Sequence, residues 1–215
     1  MKVRKRLYMT VKFGCIVEGH SEVESVPILI RRIAADLYPE LNVLIPPPIR
    51  VPRERMVKIG VMERGVEVAA RRIQRQGPIL IILDGDDDCP AELGPMLLNS
   101  VSEAHSDLSI AVIVAEREFE TWFLAAVESL RGRRGLKTDI EAPEDPEAIR
   151  DAKGWLSSHM EGGTTYSERR EQPALTALFD MQQARNADLF DKCYRDIVRL
   201  LRGAQARLTE TSEQN

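Results

Sequence analysis

The chain has 215 residues, of which 43% are hydrophobic and 30% are charged, a composition typical of a soluble globular protein with a sizeable core. Its net charge of −4 argues against a protein that coats duplex nucleic acid, because such proteins are usually basic. No segment approaches the ~18 apolar residues of a membrane span, and three widely spaced cysteines argue against zinc or disulfide frameworks. We therefore expect a cytoplasmic protein with reduced thiols and no membrane association.

The first predicted elements are a strand and a helix. The apolar run Lys12–Val17 is typical of a short buried strand, and it stops abruptly at Glu18. From Ser21 to about Leu37, apolar residues recur on one helical face. The spacing of Ser21 and Glu24 predicts a capping box that fixes the start of this helix.

Strands and helices are then predicted to alternate as far as about residue 130. A second strand over Asn42–Ile45 continues into PPPIRVPR, which is too rich in proline to pair fully in a sheet centre. The later elements are a helix from Gly65 to about Gln76, a strand over Pro78–Leu83, a helix from Ala91 to about His105, a strand over Ser109–Val114 and a helix over EREFETWFLAAVESL, residues 116–130. Strands that are apolar on both faces predict a doubly wound α/β fold with a mainly parallel sheet of about four strands.

The C-terminal part of the chain carries no strand signal. The segment RGRRGLKTDIEAPEDPEA is typical of a loop, and helices are predicted at about 146–160, 172–184 and 187–207. We therefore divide the chain into an α/β domain over residues 1–130 and a helical appendage over residues 131–215 that packs on the same domain.

Three of the predicted strands end in carboxylates. These are Glu18 after the first strand, Asp84, Asp86, Asp87 and Asp88 after the third, and Glu116, Glu118 and Glu120 after the fourth. In an open parallel sheet, ligands bind beyond the carboxyl ends of the strands, and all three acidic sets are predicted at that edge.

Carboxylates that are brought together repel one another, and a hard divalent cation removes this repulsion. Asp84 and Asp86 are two residues apart, and Gly85 between them allows the backbone to bend sharply toward one ion. We therefore predict a Mg²⁺ or Mn²⁺ site with Glu18, Asp84, Asp86 and Asp88 as candidate ligands.

Plainer interpretations of the same residues stay open. The segment DGDDD is also typical of a solvated turn, and Glu22 and Glu24 could serve only the N-terminus of their helix. His20 lies close to Glu18 and is a further candidate for the site. Basic clusters, such as the one formed by Arg50, Arg53, Arg55 and Lys58, could be solvated surface charges.

An apolar strand followed by EGHSE, and a later strand followed by DGD, resemble the Toprim fold of topoisomerases, primases and overcoming-lysogenization-defect nucleases. The matching residues are Glu18-Gly19 and Asp84-Gly85-Asp86. Two further stretches, EFETWFLA at 118–125 and YSERREQPALTALFD at 166–180, resemble an uncharacterised bacterial Toprim-like family of unknown function.

The resemblance implies roles for individual residues. Asp84 and Asp86 would hold Mg²⁺, and Glu18 would be a metal ligand or a general acid/base in phosphodiester chemistry. Glu22 matches a second acidic position of the overcoming-lysogenization-defect branch, and Glu120 matches the Glu of a Glu-x-Trp motif. Such families often work beside a separate ATPase in DNA repair or phage defence, and no ATP-binding P-loop motif is present here.

Four functions are open to a chain with these motifs. The first is a Mg²⁺-dependent nuclease or related phosphoryl-transfer enzyme acting on nucleic acid. The second is a nucleotide-sugar transferase using the Asp-x-Asp motif, although such an enzyme has no need of Glu18-Gly19. The third, a haloacid-dehalogenase-like phosphatase, would need a nucleophilic Asp where this chain has Glu18. The fourth is a non-catalytic regulator that kept the fold.

Overall fold

The structure is a computed structural model that describes residues 9–213, without the side chains of residues 211–213. Within this range there are six strands: Met9–Lys12 (β1), Gly14–Val17 (β2), Leu41–Leu44 (β3), Ile49–Arg50 (β4), Ile79–Asp84 (β5) and Ile110–Ala115 (β6).

Nine α-helices lie in the same range. They are Glu22–Leu37 (α1), Arg53–Met56 (α2), Val61–Arg72 (α3), Pro90–Ala104 (α4), Thr121–Ala125 (α5), Ala152–Ser158 (α6), Glu168–Thr176 (α7), Met181–Ala184 (α8) and Asp188–Glu213 (α9). Short 3₁₀ turns follow α5 at Val127–Leu130, precede α6 at Pro146–Ala148 and follow it at Glu161–Gly163. None of the described helices is long and apolar enough to cross a membrane.

The main sheet has four strands in the order β4-β2-β5-β6, and every pair in it is parallel. This confirms the predicted doubly wound α/β class and the prediction that strands ending near Val17, Leu83 and Val114 are parallel members of one sheet. Parallel pairing brings the carboxyl ends of β2, β5 and β6 to the same edge, which is the property that positions the candidate site.

The segment predicted as the first strand forms two strands, because the chain changes its pairing partners at Phe13. β1 pairs with β3 in a separate two-stranded parallel sheet, whereas β2 pairs with β4 and β5. The amide of Phe13 donates to Leu44 O at 2.9 Å, and the next amide, Gly14 N–H, donates to Pro78 O at 2.9 Å. The single strand predicted over Lys12–Val17 is therefore two strands, and the main sheet takes Ile49–Arg50 rather than the segment near Asn42 as its edge.

Each face of the sheet has its own core, because alternate side chains of a strand point to opposite faces. One face presents Ile16, Ile79, Ile81, Leu83, Ile110, Val112 and Val114 to α2, α3 and α4. The other presents Cys15, Val17, Leu80, Ile82, Ala111, Ile113 and Ala115 to α1 and to the helices that follow β6. Burial on both faces explains why these strands are apolar throughout.

The C-terminal helices share the second of these cores. Trp122 of α5 packs edge-on against Phe190 of α9, with ring centroids 5.3 Å apart. Arg32 of α1 donates hydrogen bonds to Thr176 O at 2.7 Å and to Phe179 O at 2.8 Å. These contacts fix the C-terminal end of α7 against α1, and nearer the start of α1 Ser25 Oγ donates to Gln172 Oε1 of α7 at 2.8 Å.

Several predicted helix boundaries are wrong for local reasons. Ser21 makes no side-chain cap hydrogen bond, so the predicted capping box is absent. The helix predicted over 116–130 is not continuous, because a turn with Arg117 at φ +57° precedes α5. The helix predicted over 172–184 is divided, because Asp180 accepts hydrogen bonds from Gln182 N–H and Gln183 N–H and starts α8 anew.

Two glycine replacements test the packing between β1 and β5. A Cβ at Gly77 would lie far inside contact distance of the backbone oxygen of Lys12. Gly77→Ala should therefore lower the free energy of unfolding by about 1–3 kcal/mol. Gly203→Ala is the control, because a Cβ there meets nothing within 4 Å and helix propensity should raise stability by about 0.5–1 kcal/mol. Urea denaturation measures both, and equal stability of wild type and Gly77→Ala would contradict the close approach of the Lys12 carbonyl to Gly77.

Candidate functional site

Three strand ends meet at the carboxyl edge of the main sheet and are joined by hydrogen bonds. Asp84, the last residue of β5, donates its amide N–H to Glu18 Oε2 at 3.1 Å. The amide N–H of Phe119, beyond the end of β6, donates to Asp84 Oδ1 at 2.9 Å. Glu18 and Asp84 are therefore held side by side, as the parallel topology predicts.

A lysine lies among the carboxylates of this edge. Lys153 comes from α6, in the part of the chain that was predicted to be an appendage. Its Nζ is 2.9 Å from Glu118 Oε1, 3.2 Å from Glu120 Oε2, 3.8 Å from Glu168 Oε2 and 4.0 Å from Asp84 Oδ2. One ammonium group thus contacts or approaches four carboxylates and offsets much of their mutual repulsion.

Gln172 hydrogen bonds two buried glutamates of this edge, and Tyr166 hydrogen bonds one of them. Gln172 Nε2 donates to Glu120 Oε1 at 3.2 Å and to Glu22 Oε1 at 3.4 Å, and its Oε1 accepts from Ser25 Oγ at 2.8 Å. The Tyr166 hydroxyl donates to Glu120 Oε1 at 2.9 Å. Glu120 is fully buried, and these donors replace part of the water that it loses.

Gly19 is required by the position of Glu22. A Cβ at Gly19 would overlap the Glu22 carboxyl group, which folds back against the turn after β2. Glu22 Oε2 is buried and has no hydrogen-bond partner among residues 9–213. The carboxyl group of Glu22 lies at the acidic edge, because Gln172 Nε2 donates to both Glu22 and Glu120. Glu24, two residues later in α1, is exposed.

Burial raises the pKa of each carboxyl group in this inner cluster, which comprises Glu18, Glu22, Asp84 and Glu120. The effect is largest at Asp84, whose pKa lies well above the usual 3.8 because burial and neighbouring carboxylates outweigh the attraction of Lys153. Burial lowers the pKa of Lys153, but Glu120 and Asp84 reverse this effect and hold the ammonium group charged.

The rest of the DGDDD segment turns outward into a second, outer cluster of charges. Asp86 adopts a φ of +49°, and its side chain is 62% exposed. Arg53, which follows the edge strand β4, lies 3.8 Å from Asp86 Oδ2 through its Nε and forms a close ion pair with Asp88. Arg117 and Arg150 flank Asp87 at 3.7 and 3.9 Å.

The predicted site residues are therefore only partly brought together. Glu18, Glu22, Asp84 and Glu120 form the inner cluster, while Asp86 and Asp88 pair with Arg53 outside it. Glu118 and Glu120 contact Lys153, so both face the site, and Glu116 lies apart from these contacts. The side chain of His20 is exposed.

These donors fit a divalent ion only as a small set. Among residues 9–213, no three His, Cys, Asp or Glu side chains are arranged to hold a metal ion. In many phosphoryl-transfer enzymes, however, Mg²⁺ takes only one or two carboxylates together with waters and a substrate phosphate. Glu18 and Asp84 fit that smaller donor set, because both are held at one edge and each keeps one carboxylate oxygen outside the hydrogen bonds that join them. Ligation by Asp86 and Asp88 stays a prediction, and it requires both side chains to leave Arg53.

Sequence reasoning missed the residues that the C-terminal region brings to the site. Lys153, Tyr166, Glu168 and Gln172 were not singled out, since no local pattern distinguishes them from surface residues. The signal that could have found three of them is the stretch YSERREQPALTALFD, which contains Tyr166, Glu168 and Gln172.

Comparisons with known proteins do not extend these observations: no family model, no curated protein and no solved structure matches this chain. The resemblance to the Toprim family therefore depends on the motifs alone, and the site is interpreted from its own chemistry.

The raised pKa of Asp84 predicts the pH dependence of stability. Because folding raises this pKa above 3.8, the folded chain binds the proton more tightly than the unfolded chain does. The resulting stabilisation is complete below pH 3.8 and is lost as the pH rises through the folded-state pKa. Wild type should therefore lose stability relative to Asp84→Asn as the pH increases, which urea denaturation in EDTA at several pH values measures.

Asp107→Asn is the control of opposite sign. Arg75 donates hydrogen bonds to Asp107 and lowers its pKa, so this carboxylate stabilises the fold at neutral pH and ceases to do so in acid. The variant should be less stable than wild type at neutral pH, with a difference that shrinks on acidification. A constant difference between wild type and Asp84→Asn across the pH range would show that the pKa of Asp84 is not raised.

Proposed function

We propose that this protein is a Mg²⁺- or Mn²⁺-dependent phosphoryl-transfer enzyme, a nuclease that acts on nucleic acid. The observation that carries the proposal is the inner cluster, in which partly buried carboxylates from neighbouring parallel strands meet beside a lysine at the ligand-binding edge of the sheet. Carboxylates with raised pKa values in such a position are characteristic of catalytic sites.

Glu18 and Asp84 are the residues that would hold the divalent ion. Bound there, the ion would supply charge neutralisation at the phosphate and a more acidic water molecule. The two side chains are positioned for this without large movement, because the Asp84 amide and the Phe119 amide fix their orientations.

The other residues of the inner cluster have separate roles in this proposal. Glu18 is only partly buried, and its raised pKa suits it also to general acid/base chemistry on a substrate. Glu120 is fully buried and is hydrogen bonded by Tyr166 and Gln172, so we assign it to positioning Lys153. Lys153 is placed to stabilise negative charge that develops on a phosphate beside Asp84.

The Toprim-like families also suggest a biological setting for this proposal. By resemblance to the Toprim-like families, the enzyme would act in DNA repair or phage defence beside a separate ATPase. A non-catalytic regulator is the second candidate, and the position of Lys153 favours it, because a lysine that neutralises these carboxylates can make a metal ion dispensable.

Nuclease assays test the activity. Purified protein should cleave single-stranded, duplex or supercoiled substrates with Mg²⁺ or Mn²⁺, and Asp84→Asn should reduce the rate by at least about a hundredfold. Asp107→Asn, at the opposite edge of the sheet, should leave the rate unchanged. Metal binding without cleavage of any substrate would reject the enzyme in favour of the regulator.

Thermal melts test the metal site independently of turnover. An ion that binds only the folded chain stabilises it by about 2.7 kcal/mol at a hundredfold excess over its Kd, which corresponds to roughly 5–10 °C in Tm for a chain of this size. Asp84→Asn should lose most of this shift. Lys153→Gln should melt below wild type without metal and show a larger shift with it, because the ion then replaces the missing positive charge.

Two results would contradict this part of the proposal. The absence of a shift in wild type with either ion, also when a short oligonucleotide is present, would exclude a metal site at this edge. An unchanged shift in Asp84→Asn would place the ion elsewhere.

A further inference from the structure

The outer cluster contains arginine N–H groups that the chain itself does not satisfy. Arg53 Nε and Nη1 and Arg117 Nε are buried and have no hydrogen-bond partner within residues 9–213. A buried donor without an acceptor is costly, and a charged one is costlier still. Native structures contain few such groups, and a bound ion or ligand is a common explanation.

Arg53 lies at the mouth of the acidic site on a well-packed element. It begins α2 directly after the edge strand β4, where Val51 N–H donates to Val17 O at 2.9 Å, and Met56 of the same helix is buried in the core. Only 15% of the Arg53 side chain is exposed. Its charge is close enough to Glu18 to favour the ionised form of that carboxyl group.

The aspartates beside Arg53 satisfy it poorly. Asp86 Oδ2 lies 3.8 Å from Arg53 Nε, which is too far for a hydrogen bond. Asp88 contacts a single Nη atom, and both aspartate side chains are more than half exposed. Exposed carboxylates contribute little as ion-pair partners, because they remain well solvated when they leave.

A phosphate group could satisfy the free donors of Arg53 once Asp88 leaves Nη2, because Nε and Nη1 each form a fork with Nη2. A guanidinium presents five N–H groups in a planar fork, and phosphate oxygens can accept two of them in parallel. The next strand ends of the sheet carry Glu18 and Asp84, so a phosphate on Arg53 would lie directly beside the inner cluster. A strand of nucleic acid passing along this edge would therefore present one phosphate to the acidic site and a neighbouring one to Arg53.

We propose that Arg53 binds a phosphate group of a nucleic-acid substrate at the mouth of the acidic site, and that Asp86 and Asp88 occupy Arg53 until the substrate displaces them. This inference deepens the proposed function and rests on it for the class of substrate. The displacement also frees both aspartates to turn toward Glu18 and Asp84, which is the arrangement that the sequence predicts.

Equilibrium binding of a fluorescent twelve-nucleotide single strand tests the inference, measured by anisotropy in EDTA over a series of salt concentrations. Arg53→Ala should weaken binding roughly tenfold or more and reduce the slope of log K against log salt by about 1. Arg53→Lys keeps the charge but loses the fork, so it should recover only part of the affinity. Asp88→Asn should bind more tightly than wild type.

Arg71→Ala is the matched control, because it removes the same charge from the exposed end of α3, beyond which the chain enters the opposite edge of the sheet. It should leave affinity and salt slope near those of wild type. Strands with a 5′-hydroxyl and with a 5′-phosphate distinguish a backbone phosphodiester from a terminal phosphomonoester as the group that Arg53 binds. Circular dichroism checks that each variant is folded.

The outcomes separate this inference from the proposed function. Cleavage that depends on Asp84, together with unchanged affinity and salt slope in folded Arg53→Ala, would overturn the inference and leave the enzyme intact. Binding that depends on Arg53 without cleavage under any metal condition would support the inference and reject the nuclease. Unchanged or weaker binding by Asp88→Asn would show that the aspartates do not compete with the phosphate.

Discussion

The burial of several carboxylates at one edge of a sheet is the constraint on which this structure depends. Glu120 is fully buried, Glu22 is nearly so and Asp84 is largely enclosed, so each loses hydration that must be replaced. Lys153 supplies the charge, and Gln172 and Tyr166 supply neutral donors. Without these groups the carboxylates would have to take up protons, or the edge would have to open to water.

This requirement explains why the helices after β6 belong to the same folded body as the sheet. The donors that satisfy the inner cluster come from α6, from the segment before α7 and from α7 itself. Those elements are fixed by aromatic packing between Trp122, Phe179, Phe190 and Phe123, and by Arg32, which joins α1 to the end of α7. The geometry of the site therefore depends on the second core.

Two layers of charge with different properties lie at this edge. The inner layer is buried, closely hydrogen bonded and built on strand ends, so it is suited to holding reactive groups in fixed positions. The outer layer combines a largely buried arginine with exposed aspartates in a turn whose backbone adopts a positive φ at Asp86. Conformations of that kind in non-glycine residues are concentrated at functional sites. The contrast between the largely buried Arg53 and the exposed Asp86 and Asp88 is the physical basis for the phosphate site inferred at Arg53.

The sequence by itself determined the parallel sheet and the edge at which the acidic residues lie. Strands apolar on both faces must be covered on both, and parallel strands place Glu18 and Asp84 at the same end. Only the tertiary structure decided how these charges are compensated and which aspartates face inward. Lys153 and Gln172 reach the site across long sequence separations, and Asp86 and Asp88 are drawn away by Arg53, which precedes them by more than thirty residues. No local periodicity records such contacts, because the electrostatic environment of a charged group is set by elements that meet only when the chain is folded.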